Sequence, residues 1–188
     1  MEKVKIVLDA DVLIHFSKAD KLSLLPNILS EYEHIVLNIV YDEVKTIQHQ
    51  LDNQIHFLKN IKKETFMPTG EMRKEYAILC SQFGKGESAC MSYCKYTKNV
   101  IGSSNIKDIK DYCLTQKIVY LTSIDFLYYA YIRKKMTADE CNEFIETVNS
   151  KDSKLPNIDI TKLVIIHQIC CFQLRIPNFV SSSDSVMS

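Results

Sequence analysis

The first fourteen residues constrain the fold of this chain more than any other stretch. Residues 4–8 read Val-Lys-Ile-Val-Leu, an apolar run of strand length, and Asp9 and Asp11 follow directly. Beyond the two acids the apolar residues recur with helical spacing, which predicts a buried strand that delivers carboxylates to a strand-to-helix turn. Acids at the carboxyl end of a parallel strand lie where α/β sheets bind ligands. Taken alone, Asp9 is equally well explained as the N-cap of the next helix.

Two further strand-to-helix junctions place a glutamate near a helix start. The apolar run 35–40 predicts the second strand, and helical spacing from there to about residue 61 places Glu43 in the first turn of the next helix. Residues 84–88 read Gly-Lys-Gly-Glu-Ser, so that Glu87 lies in the first turn of a helix of small residues. An acid in a first turn commonly does no more than complement the positive helix end. The functional interpretation is that both glutamates face Asp9 across the sheet.

A fourth junction has polar side chains but no carboxylate directly after its strand. The strand expected at 99–102 leads into Ser103, Ser104 and Asn105. Asp108 follows one helical turn after Asn105, which would let its carboxylate reach the same space. The amide of Asn105 would also offer a neutral oxygen ligand.

The alternation of strands with helices predicts the fold class. It indicates a three-layer α/β/α sandwich with a central parallel sheet of four to five strands and helices on both faces. At 188 residues the chain is long enough for one substantial core and too short for two large domains. We therefore expect one domain at 1–150 and a C-terminal extension at 151–188. The extension is interpreted either as an element that docks on a partner or as a terminus without fixed structure.

Composition narrows the classes of protein and partner. Lys+Arg and Asp+Glu both total 23, so the formal net charge is zero and no whole-protein basic field attracts nucleic acid. Binding of RNA must then rest on local groups, and Lys85, Ser104 and Lys107 are the candidates nearest the acids. Seven scattered cysteines without a secretory signal indicate a reducing cytoplasm. No apolar run approaches the roughly 18 residues of a membrane span.

The predicted parallel sheet brings the polar junctions together. The loops after different strands converge at one edge of such a sheet, so the acids after these strands are expected to meet in one cleft. Oxygen ligands without a histidine partner suit a hard cation such as Mg²⁺ or Mn²⁺. Such a cation commonly acts on phosphates, by holding the scissile phosphate and activating a water molecule.

In three of its segments the chain resembles the PIN-domain family over about residues 3–148. These segments are the apolar strand that ends in Asp9, Tyr41-Asp42-Glu43-Val44 after the second strand, and Gly84-Lys85-Gly86-Glu87-Ser88. The resemblance implies a PIN-like ribonuclease in which acids bind one or two Mg²⁺ or Mn²⁺ ions and cut single-stranded or structured RNA. Many bacterial members are toxins of toxin–antitoxin pairs, so a cognate antitoxin protein and a homodimer are the expected partners beside RNA.

Carried over to this chain, the resemblance assigns individual residues. Asp9, Glu43 and Glu87 would be metal ligands. Asp108 does not match the family position, but its place one helical turn after Asn105 makes it the expected fourth metal ligand. The family's fourth acid usually stands just after the strand that ends here near Gly102, where this chain has Ser103, Ser104 and Asn105 instead. Asn105 is therefore placed with the catalytic residues, while Lys85, Ser104 and Lys107 are expected to contact the substrate.

Two alternatives remain open at the level of sequence. The missing fourth acid is compatible with a catalytically weakened PIN-like module that binds RNA or a protein. The Asp9-Ala10-Asp11-Val12 segment also fits the Asp-x-Asp opening of a haloacid-dehalogenase-type phosphatase, with Asp9 as nucleophile and Asp11 as general acid. That second family also requires a late pair of acids and a lysine that holds phosphate, and neither is evident here.

Overall fold

A computed structural model describes residues 3–163, and the expected role of 164–188 in the C-terminal extension lies outside the described residues. The strands of the described part are β1 Lys5–Leu8, β2 Glu33–Leu37, β3 Ile61–Glu64, β4 Val100–Gly102 and β5 Tyr120–Leu121. These five parallel strands form one sheet in the order β3-β2-β1-β4-β5. The predicted central parallel sheet is confirmed.

Helices cover the sheet on both faces. The α-helices in the described residues are α1 Ala10–Lys18, α2 Leu25–Ile28, α3 Asn38–Glu43, α4 Gln48–Asp52, α5 Gly70–Leu79, α6 Lys85–Thr97, α7 Ile106–Gln116, α8 Ser123–Ile132 and α9 Ala138–Ser150. One group consists of α5, α6 and α7, with α6 packed on β1, β2 and β4, and the other joins α1 and α2 to α8 and α9. The fold is thus a three-layer α/β sandwich, as predicted.

Strand β1 lies at the centre of the sheet, and this position explains its apolar sequence. Ile6, Val7 and Leu8 are fully buried, because β2 and β4 flank the strand and helices cover both of its faces. A near-continuous apolar run is what a strand buried on both faces requires. The chain places β2 and β3 on one side of β1 and β4 and β5 on the other. This reversal creates a topological switch point between β1 and β4, and ligands of open α/β sheets bind outside the carboxyl ends of strands there.

The second strand ends earlier than predicted, which changes the setting of Glu43. β2 stops at Leu37, whose ladder partner is Glu64, and α3 begins at Asn38. The side chain of Asn38 accepts a hydrogen bond from the backbone N–H of Phe66 at 2.7 Å, which holds this corner of the chain. The prediction of a strand at 35–40 is therefore wrong beyond residue 37. Glu43 is the last residue of α3 rather than a residue in a first turn.

Strand β3 begins at about the residue where the predicted helix ends, and the sequence pattern does not predict it. Its four residues include exposed Lys62 and Lys63, and of the four only Ile61 is buried. β3 lies at the edge of the sheet, where lysines discourage pairing with another chain. The charges that protect this edge also remove the apolar alternation by which a strand is recognised.

The described chain continues into the core beyond α9. Leu155 and Ile160 are buried, and the short 3-10 turn Ile160–Lys162 packs on α8 and α9. Part of the predicted extension therefore lies against the α/β unit, while the boundary at residue 150 stays a prediction. Among the described helices none is long and apolar enough to cross a membrane.

Candidate active site

The acids predicted from sequence lie at the switch point of the sheet. Asp9 follows β1 and is buried, with a 6% exposed fraction. Its backbone N–H donates to the Gly102 carbonyl at 2.8 Å, and its Oδ1 accepts from the Ala10 N–H at 2.8 Å. Asp9 is thus the N-cap of α1 and also stands between the ends of β1 and β4. We use the name acid cluster for the carboxylates gathered around it, which are Asp9, Asp11, Glu43, Glu87 and Asp108.

Asp11 belongs to this cluster and joins two elements. Its Oδ1 accepts from the Val12 N–H at 2.6 Å, and its Oδ2 accepts from the Ser104 N–H at 2.7 Å and from Ser103 Oγ at 3.3 Å. These bonds tie the start of α1 to the loop between β4 and α7. Sequence reasoning places Asp11 only in the phosphatase alternative, although its spacing of two from Asp9 is an available signal.

Glu43 reaches the cluster from the end of α3. Its Oε1 accepts a hydrogen bond from the Gly86 N–H at 3.0 Å, in the first turn of α6. Glu43 is exposed, whereas the neighbouring Glu87 is buried with a 9% exposed fraction. The predicted meeting of these two glutamates therefore occurs, although Glu43 arrives from a helix end.

Asn105 lies between two acids of the cluster. Its Nδ2 donates to Glu87 Oε1 at 3.0 Å and to Asp108 Oδ2 at 2.8 Å, with Asp108 in the first turn of α7. Both residues that the sequence offers in place of the usual fourth acid are thus present together. The amide holds the two carboxylates next to each other, although it brings no charge of its own.

Burial of negative charge dominates the electrostatics of the site, and repulsion between neighbouring acids adds to it. Burial, followed by the charge of Asp11, raises the pKa of Asp9 to about 8. Burial, followed by the charges of Asp108 and Asp11, raises the pKa of Glu87 to about 7, and burial also raises the pKa of Asp11. Among the residues that the structure describes, no basic side chain lies within ion-pair distance of the acid cluster. Buried carboxylates with raised pKa values and no compensating charge are a mark of functional sites.

The chemistry of the donor set fits a divalent cation, while the side-chain arrangement is not that of a formed metal site. Within residues 3–163, no three histidine, cysteine, aspartate or glutamate side chains are arranged as a ready ligand set. The carboxylates instead accept hydrogen bonds from Ala10, Gly86, Ser104 and the Asn105 amide. Several anionic oxygens close together are the ligands that Mg²⁺ and Mn²⁺ prefer. Asp9, Glu43, Glu87 and Asp108 are the residues that would hold such a cation.

The three residues predicted to contact substrate fall into two groups. Lys85 and Lys107 are exposed in the first turns of α6 and α7, next in sequence to the acids. The Ser104 hydroxyl is engaged internally, because it donates to Ser123 Oγ at 2.9 Å and accepts from the Ser123 N–H at 2.8 Å. Ser123 Oγ in turn contacts His15 Nδ1 at 2.9 Å. Ser104 is therefore better placed to hold its loop than to bind a ligand.

No protein-family model and no curated protein sequence matches this chain. The resemblance to PIN domains stays a prediction drawn from the three quoted segments. A functional assignment must therefore rest on the chemistry of the acid cluster.

Proposed function

We propose that this chain is a PIN-like ribonuclease that depends on Mg²⁺ or Mn²⁺, with its active site at the switch point between β1 and β4. The observation that carries the proposal is the acid cluster itself, where burial and like charges raise the pKa values of Asp9 and Glu87 and no basic side chain in the described chain compensates them. A divalent cation supplies the missing positive charge, and phosphodiesters are a common substrate of such carboxylate-bound cations.

The proposed roles follow from the positions of the side chains. Asp9, Glu43, Glu87 and Asp108 would hold the cation, which would supply Lewis-acid chemistry towards the scissile phosphate and a water nucleophile. Asn105 orients Glu87 and Asp108 through the two hydrogen bonds of its amide. Asp9 is buried and its carboxylate caps α1, so this ligand would be held in a fixed position.

The substrate and partners belong to the same proposal. Lys85 and Lys107 lie next to the acids and would contact RNA phosphates, which a chain with zero net charge must do locally. Action as the toxin of a toxin–antitoxin pair, a cognate antitoxin protein and a homodimer are supported by the sequence resemblance alone. The cytoplasm as the compartment is supported by the cysteine content.

The geometry lends less support to the phosphatase alternative. In that alternative Asp11 acts as a general acid, which requires a carboxyl oxygen directed at the substrate. Both of its oxygens accept hydrogen bonds, from Val12 on one side and from Ser103 and Ser104 on the other. The weakened PIN-like module is favoured by one observation, namely that Asn105 stands where a fourth acid would add charge.

Cleavage of a labelled single-stranded RNA tests the proposal. We expect cleavage with Mn²⁺ and none when the cation is chelated, and we expect Glu87→Gln to lose about 100-fold or more of the rate. Glu71→Gln is the matched control, because Glu71 is exposed on α5 outside the acid cluster. Binding of RNA without cleavage at any Mn²⁺ concentration would identify the weakened module. Hydrolysis of a phosphomonoester that depends on Asp11 would instead favour the phosphatase.

A further inference from the structure

The two glycines at the start of α6 have different surroundings. Gly84 and Gly86 flank Lys85, and neither has a positive φ, so neither is required by its backbone conformation. A Cβ built on Gly84 meets nothing within 4 Å. A Cβ built on Gly86 would lie 3.0 Å from Glu43 Cδ and closer still to Glu43 Oε2. Only Gly86 must lack a side chain, and the group that requires this is the Glu43 carboxylate.

We propose that Gly86 is a positioning residue that holds Glu43 in the cation site, an inference that rests on the proposed function. Its N–H donates to Glu43 Oε1 at 3.0 Å, while its bare Cα leaves room for Oε2. The carboxylate is thus held by a hydrogen bond on one oxygen and by close approach to the backbone at the other. If an alanine at position 86 displaced the carboxylate with its methyl group, both contacts would be lost.

The position of Glu43 explains why its contacts with Gly86 matter. Glu43 is exposed, lies at the end of a six-residue helix, and carries a side chain with several rotatable bonds. A free glutamate of this kind loses considerable conformational entropy when it binds a ligand. The two contacts with Gly86 restrict the Glu43 side chain before a cation binds, so that less conformational entropy is lost on binding. They also keep the Glu43 charge near Glu87. Groups that orient a metal ligand in this way strongly affect metal affinity although they do not touch the metal.

The same geometry predicts that Gly86→Ala acts on the site and spares the fold. The atoms in the way belong to the far end of a flexible side chain, which can swing into solvent. Alanine also stabilises a helix more than glycine does and restricts the unfolded chain. Without a divalent cation, Gly86→Ala should therefore melt at the wild-type temperature or above it.

Titration with Mn²⁺, followed by thermal melting and by RNA cleavage, tests the role of Gly86. For Gly86→Ala we expect the Mn²⁺ concentration at half-maximal stabilisation to rise about tenfold or more. Gly84→Ala is the matched control, and its titration should coincide with that of the wild type. In a Glu43→Ala background, which has no carboxylate to displace, Gly86→Ala should cause no further change in the Mn²⁺ concentration at half-maximal stabilisation.

Each outcome separates this inference from the proposed function. A wild type that Mn²⁺ neither stabilises nor activates contradicts the proposed function. A wild type that responds, with Gly86→Ala titrating like Gly84→Ala, overturns the positioning role alone. A melting temperature of Gly86→Ala below the wild type in the absence of Mn²⁺, or an equal loss in the Glu43→Ala background, would make Gly86 a structural residue and overturn it as well.

Discussion

The carboxylates of this molecule occupy two regions with opposite surroundings. We use the name flanks for the two carboxylates that have basic partners, Glu31 and Glu64. Glu31 accepts two hydrogen bonds from Arg133 at 2.6 and 2.8 Å, and Glu64 accepts one from Lys5 at 2.7 Å. In the acid cluster no carboxylate has a basic partner among the described residues. The flanks pair their negative charges with positive ones, and the acid cluster gathers negative charges alone.

The pKa values follow this difference. Burial raises the pKa of Glu31 and of Glu64, but the bonds from Arg133 and Lys5 contribute to a larger lowering, so that both lie below the ordinary value. In the acid cluster, burial and neighbouring acids act in the same direction and raise the pKa of Asp9 to about 8. Charge therefore supports folding on the flanks and opposes it at the switch point. Sites that work against folding in this way are commonly functional.

Neutralising one acid in each region should produce stability changes of opposite sign. Asp9→Asn keeps a good N-cap and relieves repulsion, so its melting temperature should rise while RNA cleavage falls about 100-fold or more. Glu31→Gln loses its charged hydrogen bonds to Arg133 and should be destabilised by about 1 kcal/mol with cleavage unchanged. Thermal melting and cleavage assays at about pH 8 measure both. Equal signs for the two variants would refute the contrast.

The pH dependence of stability should differ between the regions. Because the folded pKa of Asp9 and Glu87 exceeds the unfolded value, the folded protein binds extra protons, and both acids make stability without a divalent cation fall as pH rises. His15 and His34 act in the opposite sense below their ordinary pKa, because burial lowers the pKa of each to about 4. A net fall in stability is therefore expected from about pH 6.5 to about pH 8, where the histidines no longer contribute. Each group contributes at most about 1.4 kcal/mol per pH unit. The lowered pKa of Glu31 and Glu64 adds stability that is lost only under acid conditions below their ordinary values.

Melting curves across this pH range, with and without Mn²⁺, measure the effect. The cation binds ionised carboxylates, so its stabilisation should grow with pH and flatten the decline. Asp9→Asn should remove much of the decline without any cation. A wild type whose melting temperature rises steadily from about pH 6.5 to about pH 8 would show that the pKa values of the acid cluster are not raised by folding.

Restoring the fourth acid should increase the difference between the acid cluster and the flanks, by a smaller amount than the changes above. Asn105→Asp removes the amide that bonds Glu87 and Asp108 and adds another negative charge. Without cation the variant should melt lower than the wild type, and with Mn²⁺ it should need several-fold less cation for half-maximal cleavage. Asn142→Asp, exposed on α9, is the control for an added charge elsewhere. An unchanged Mn²⁺ requirement would place Asn105 outside the ligand shell.

The smallest expected effect concerns the lysines beside the acids. Lys85→Glu and Lys107→Glu should each weaken RNA binding a few-fold and lower its dependence on salt, with the slope falling by about 0.7 for each phosphate that the protein no longer neutralises. Lys135→Glu, exposed beyond the end of α8, is the control. Binding isotherms at several salt concentrations measure these slopes. Slopes equal to that of Lys135→Glu would remove both lysines from the substrate surface.

The parts of the fold that could be predicted are those with a local signal. β1 is recognisable because a strand buried on both faces is a continuous apolar run, and α9 because Thr137 and Glu140 form a capping box. β3 is not recognisable from the sequence, because Lys62 and Lys63 interrupt the apolar alternation that is typical of a strand. The end of β2 is misplaced because Ile39 and Val40 favour strands locally, whereas the ladder ends where the partner strand ends.

The candidate site divides in the same way. Asp9 and Glu87 are predictable because each lies at a recognisable start of a helix. Glu43 is likewise predicted from a strand-to-helix junction, although its predicted place in its helix is wrong. The roles of Asp11 and Gly86 could not be recognised, because their partners Ser104 and Glu43 lie 93 and 43 residues away in sequence.

By itself, the sequence determined which segments form the central buried strands and which acids follow them, because hydrophobic periodicity and helix capping are read along the chain. Only the tertiary structure decided that these acids would stand together without a basic side chain near them in the described part of the chain. That outcome depends on the strand order, which places the end of β4 beside the end of β1 and sets α6 against both. Electrostatic energy depends on distance in space, and residues 9, 43, 87 and 108 become neighbours only when the sheet assembles.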